Sequence, residues 1–190
     1  MTDLVWSFAP WVVFLVTARI TSFKAAIGFG AVAGIVVFAR AVSRRRVHML
    51  DVASTVYFVA LGAIVVSLNP GHLDTWSRYA QAGSHAALTV LVFGSILLDH
   101  PFTESYARET TPRELWNTDA FHEINRRISM VWGLAFLVGT VSLIVAGAVD
   151  YREALLRVVV PFGALFYAYT YTERTSKDAE STVLVDQRAA

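Results

Sequence analysis

Apolar residues in this chain fall into six long runs separated by polar or helix-breaking residues. The runs cover residues 4–20, 25–42, 52–68, 79–98, 128–149 and 154–171, bounded by charge or by Asn-Pro and Pro-Gly pairs. At a helical rise of about 1.5 Å per residue, each approaches the roughly 30 Å of a bilayer's hydrocarbon layer. The pattern predicts an all-α fold, a polytopic membrane helix bundle of about six transmembrane helices. Most of the loops are short, which makes consecutive helices antiparallel neighbours in one domain over residues 1–171. The first run has no basic segment before it and no small-x-small cleavage site after it, so it reads as a retained helix. From residue 172 to 190 the chain is polar without sustained periodicity, predicting a flexible cytoplasmic tail.

Composition agrees with this pattern. Of 190 residues, 55% are hydrophobic and 16% charged, and the mean hydropathy is +0.51. A soluble domain of this size keeps too much wet surface to absorb that excess. With no cysteine, a disulfide scaffold, a thiolate metal site and a cysteine nucleophile are all excluded. A net charge of +1 supplies no basic field for nucleic acid. The placement of charge says more. With an even number of spans both termini share one side. That side gathers eleven Lys and Arg residues, among them Arg40, Arg44, Arg45, Arg46, Arg108, Arg113, Arg126 and Arg127. The other side carries five: Arg19, Lys24, Arg78, Arg152 and Arg157. The excess predicts a plasma (inner) membrane protein with both termini in the cytoplasm.

The segment 99–127 is too long for a simple turn and reads as an amphipathic cytoplasmic elbow between helices 4 and 5. Thr111-Pro112-Arg113-Glu114 has the form of a capping box, and Thr118 or Asp119 can cap a helix running unbroken into the fifth span. Phe102, Tyr106, Leu115, Trp116, Phe121 and Ile124 alternate with charged residues, as in a segment lying in the headgroup layer. The elbow offers Glu104, Tyr106, Arg108, Glu109, Glu114, Trp116, His122, Glu123 and Asn125 to a partner protein, a lipid headgroup or a substrate. The same charges also pair at i,i+3 and i,i+4 spacing, in which case the segment only joins two helices. Asp99, His100, His122 and Glu123 have the chemistry of metal ligands, but neither H-E-x-x-H nor a repeated Glu-x-x-His occurs, so no metal or other cofactor is predicted.

Within the spans, His85 with Gln81 one turn away is the candidate for binding a ligand or moving a proton. The alternative is a neutral histidine hydrogen-bonded inside the bundle. Gly30 and Gly34 form a GxxxG, extended by Ala26, which lets helices approach closely inside the bundle or between copies in a homo-oligomer. Arg19, Lys24, Arg40 and Arg157 lie near span ends, where their head groups reach the interface. Pro161 predicts a kink in the last span. No Asp or Glu stands at a span centre, so an ordinary proton- or sodium-coupled carrier lacks its usual group.

Phe8-Ala9-Pro10-Trp11-Val12-Val13-Phe14, then Arg19-Ile20 and Ala25-Ala26, resembles the start of the intracellular septation protein A family of bacterial inner-membrane proteins. The likeness continues through Arg44-Arg45-Arg46-Val47, Gly62, Trp76 and Pro101, nearly without gaps from residue 8 to 101, and more loosely through Trp116, Asn125 and Trp132-Gly133. The elbow is longer than that family's loop, and Pro101-Phe102-Thr103 with Tyr106-Ala107-Arg108-Glu109 also looks like uncharacterised actinobacterial-type multi-pass membrane proteins. The resemblance implies a non-enzymatic septation and envelope-maintenance factor, touching membrane lipids and division or envelope-synthesis membrane proteins, with no catalytic residue to carry over. Two other readings compete with it. One is a small-molecule or lipid transporter using the interior near His85. The other is a membrane-bound enzyme acting on a lipid headgroup at the elbow, though the sequence offers it no activated nucleophile or phosphate loop.

Overall fold

The computed structural model describes residues 2–67, 70–149 and 155–189. Its helices are α1 (Thr2–Ser7), α2 (Ala9–Ile20), α3 (Phe23–Ser43), α4 (Met49–Ser67), α5 (Pro70–Leu97), α6 (Glu104–Ala107), α7 (Asp119–Ala148) and α8 (Val160–Ala189). A single 3₁₀ turn, Arg113–Leu115, precedes α7, and a π-helical turn, Leu155–Val159, leads into α8. Among the described residues there is no strand, so the fold is all-α.

Among the described residues four segments are long and apolar enough to cross a membrane: α3, α4, the Trp76–Leu97 part of α5, and α7. Their outward faces stay apolar. Val32, Ile35 and Val36 of α3, and Leu134, Val138 and Val141 of α7, are each about half exposed. An exterior of this kind is solvated by hydrocarbon, and the chain is a membrane protein.

The first and last of the six predicted runs are not simple rods. The run 4–20 is divided at Phe8, because Pro10 occupies the first turn of α2 and has no N–H to continue α1. That leaves α2 with only 12 residues. Part of the run 154–171 lies outside the described residues. The remainder is the π-helical turn running directly into α8, with Pro161 the second residue of α8 and the Leu156 carbonyl in the turn before it accepting from Ser142 Oγ at 2.7 Å. The expected kink at Pro161 is therefore a change of helix type just before it. The expected tail is helical, since α8 continues to Ala189. At the 3₁₀ turn the predicted capping box is absent: no side chain caps it, and the Thr111 carbonyl accepts from the Trp116 indole at 2.9 Å. The predicted start of α7 is present, with Thr118 accepting from the Phe121 amide.

The long helices form two groups of three. α2, α3 and α4 pack together with α3 central, while α5, α7 and α8 pack together with α7 central. Both central helices use glycines to admit a neighbour's bulk. Phe58 fills the space of a Cβ on Gly30, and the Thr55 backbone lies 3.2 Å from that position on Gly34. On α7, Gly133 faces the Phe93 ring, and a Cβ on Gly139 or Gly147 would collide with the ring of His85 or Tyr79. Across the seam between the groups, Phe8 stacks on Trp132 with centroids 5.3 Å apart, and the Tyr57 hydroxyl lies 3.3 Å from Ser84 Oγ.

Candidate functional site

At the end of the bundle where α1, α4 and α6 meet, buried polar side chains from distant parts of the chain come together. Their positions follow from helix ends. α3 closes in a Schellman motif with Arg45 left-handed (φ 55°), the Arg46 amide bonding Ala41 O and the Arg45 amide bonding Val42 O. The chain then turns directly into α4. Asp51, in the first turn of α4, reaches back to accept from the His48 amide at 3.0 Å, as the acidic member of a capping box does.

The same carboxylate organises the site. Asp51 Oδ1 accepts from Ser7 Oγ at 2.5 Å, and Oδ2 lies 3.2 Å from His48 Nδ1. His48 Nε2 is 3.1 Å from Glu109 Oε1, which also lies 3.8 Å from Arg46. Ser7, His48 and Asp51 are each at most 5% exposed. Tyr106 stacks flat on His48, with centroids 4.1 Å apart and planes 10° apart. Its hydroxyl is buried beside Ser7 without a hydrogen bond of good geometry, and burial holds the phenol far above its ordinary pKa. Burial also works against a charged His48. The Asp51 hydrogen bond and the attraction of Asp51 and Glu109 outweigh it, so His48 titrates above its ordinary value.

A second cluster adjoins the first. Glu104 is 7% exposed, with Oε2 3.2 Å from Arg108 and Oε1 2.6 Å from His122 Nδ1. His122 Nε2 in turn lies 3.1 Å from Asp99, itself left-handed (φ 59°) at the end of α5. Thr103 donates to the Asn125 carbonyl, and the Phe102 amide donates to Ser95. The connection from α5 to α7 is thus fastened to the bundle, with Phe102 and Tyr106 buried in it, and does not present its aromatics as a free surface.

Of the elbow residues singled out in the sequence, Glu104, Tyr106, Glu109, His122 and Asn125 turn inward. Asn125 Nδ2 donates to the Phe121 carbonyl within α7. Arg108 lies 5.6 Å over the Trp116 ring, Glu114 stays exposed, and Glu123 pairs with Arg127 at 2.7 Å away from the clusters. His100 is exposed, and among the described residues no group of three or more His, Asp or Glu could hold a metal ion.

His85 is 5% exposed and packed among α7 side chains. Its Nδ1 contacts the Gln81 carbonyl at 3.2 Å, its ring meets Phe136 edge-on, and Nε2 has no partner among the described residues. Gln81 lines a cavity at the other end of the bundle. Gly30 and Gly34 face α4 inside the first group, and Ala26 is buried on α3 one turn before them.

The sequence reading passed over Ser7, His48 and Asp51. The one local signal for them is His48-x-x-Asp51 at the start of a span.

Chemically the array is a clamp. Ser7 donates a hydrogen bond to a carboxylate, and that carboxylate stands between it and the imidazole, so the hydroxyl does not meet a histidine as in a Ser-His-Asp triad. No protein-family model matches this chain, and no match is found among curated proteins or solved structures.

Proposed function

We propose that this is a six-span protein of a bacterial-type plasma membrane, with both termini in the cytoplasm, serving septation and envelope maintenance as a non-enzymatic factor. Its partners in this reading are membrane lipids and division or envelope-synthesis proteins. Six spans are supported by length. α1 and α2 taken as one bent rod have about 28 Å of rise, close to the bilayer's roughly 30 Å, and the π-helical turn with the apolar half of α8 is comparable. The resemblance of residues 8–101 to the intracellular septation protein A family supports the role.

One observation carries the non-enzymatic part. The acid and base groups an enzyme would use at the elbow are engaged in holding the elbow, Glu104 by Arg108 and His122, and Glu109 by His48. Deleting the gene is expected to give abnormal cell length, misplaced septa or a leaky envelope under osmotic stress, restored by the wild-type chain and by Glu123→Gln. Normal division and permeability in the deletion strain would overturn the role. Alkaline phosphatase fused at either terminus is expected to be inactive, and activity at either one would overturn the orientation.

A further inference from the structure

Opposite the clamp, the seam between the two helix groups opens into a cavity of about 560 Å³, within the size range of small-molecule sites. α2 and the start of α3 line one side, and α5 with the π-helical turn lines the other. Its inner wall is apolar, including the buried Phe14 and Ala80. Three cations, Arg19, Lys24 and Arg157, share the lining with the Gln81 amide, and no carboxylate lines it among the described residues.

Two of these cations are placed in a way that packing does not explain. Among the described residues Arg19 and Lys24 have no carboxylate within ion-pair distance, whereas Arg40, Arg46, Arg108, Arg126 and Arg127 are each ion-paired at the clamp end. Lys24 stands in the first turn of α3, which contains no acidic residue. A cation there opposes the helix dipole and lies beside amides that favour negative charge. An anion in the cavity would reverse the sign of both effects. Its natural complement is a compact anion able to accept several hydrogen bonds, joined to an apolar portion for the inner wall.

We infer that this cavity binds a phosphate-bearing anion, as an anionic phospholipid headgroup or free phosphate presents it, with Arg19 and Lys24 as the recognising charges and Gln81 as a polar neighbour. Arg157 donates to the Ala146 carbonyl at the end of α7 and adds positive potential while fastening that helix. The site does not depend on a role in septation, since the binding assay is blind to cell division.

The test uses the full chain in phosphatidylcholine nanodiscs, with phosphatidylglycerol titrated in and read by native mass spectrometry and thermal unfolding. Wild-type protein is expected to retain phosphatidylglycerol over phosphatidylcholine by about tenfold or more, given what each cation near an anionic lipid contributes. The exposed pair Arg19→Gln/Lys24→Gln should lose that preference, and Arg19→Lys/Lys24→Arg should keep it. Arg44→Gln/Arg45→Gln removes the same charge at the far end and should also keep it. Inorganic phosphate added without phosphatidylglycerol separates the sources. Stabilisation of wild type but not of the glutamine pair identifies free phosphate as the ligand, and stabilisation by the lipid alone identifies the headgroup. Equal retention of the two lipids with no effect of phosphate, or equal losses in both charge-removal pairs, would overturn the inference.

Discussion

Replacing Gly139 by alanine tests whether α5 and α7 are in contact as described. The new Cβ would fall on the His85 ring, with Nε2 3.1 Å and Cγ 3.4 Å away and Cδ2 nearer still. His85 cannot swing aside cheaply, being 5% exposed with Nδ1 against the Gln81 carbonyl. Either the helices part by roughly 1 Å or the ring leaves its rotamer, and overpacking of this kind costs about 1–3 kcal/mol. Alanine returns about 1 kcal/mol of helix propensity, leaving a net loss of at most about 2 kcal/mol. Gly94→Ala is the internal reference, because nothing lies within 4 Å of its Cβ position and only the propensity gain remains. Unfolding in mixed micelles, followed by far-UV circular dichroism as dodecyl sulfate is raised, should separate the two variants by the overpacking cost alone, about 1–3 kcal/mol. His85→Ala combined with Gly139→Ala should recover most of the loss, giving a coupling of about 1 kcal/mol or more in the double-mutant cycle. If Gly139→Ala unfolds at the same midpoint as Gly94→Ala, the described contact is wrong.

Other parts of the structure make separate predictions. His48 has a raised pKa in the folded state, so its contribution is complete below its unfolded value of about 6.5 and is lost as pH rises through the folded value. Wild-type unfolding midpoints should therefore fall from pH 6 to pH 9 more than those of His48→Gln, and parallel curves would count against the clamp. Thr118→Ala should cost about 1 kcal/mol through the lost cap and speed amide exchange in the first turn of α7, with the rest of α7 unchanged. Arg45→Gly relieves a left-handed arginine and should raise stability by about 1 kcal/mol, read in the same unfolding assay.

Much of the scaffold is legible in the sequence because hydropathy and caps are local. The limits of α3 and α4, the Thr118 cap and the unbroken run of α7 all follow from residues a few positions apart. The break at Phe8 is not legible in the run 4–20, whose unbroken hydropathy outweighs the one local signal, the missing N–H of Pro10. The elbow was harder. Glu104, Glu109 and His122 alternate with aromatics as surface charges do, and only their meeting with His48, Asp99 and Arg108 turns them inward. Ser7 and Asp51 are 44 positions apart, and His48 and Glu109 are 61 apart, so no window along the chain brings them together. The cavity cations have the same difficulty. Arg19, Lys24 and Arg157 each read singly as an interfacial anchor, and only the folded bundle gathers them around one cavity.

The glycines of α7 have a mechanical consequence. Tyr79, His85 and Phe93 of α5 seat at Gly147, Gly139 and Gly133, three notches that descend one helix as the rings climb the other. Slipping α5 along α7 by one turn, about 5.4 Å, would unseat all three together, much as a key with three cuts resists moving by one tooth. These two helices must travel as a single beam. α4 and α5 touch only sparingly, and among the described residues no comparable notch joins them. Any flexing of the molecule therefore has its crease along that line, with the clamp as the clasp at one end and the basic cavity as the mouth at the other.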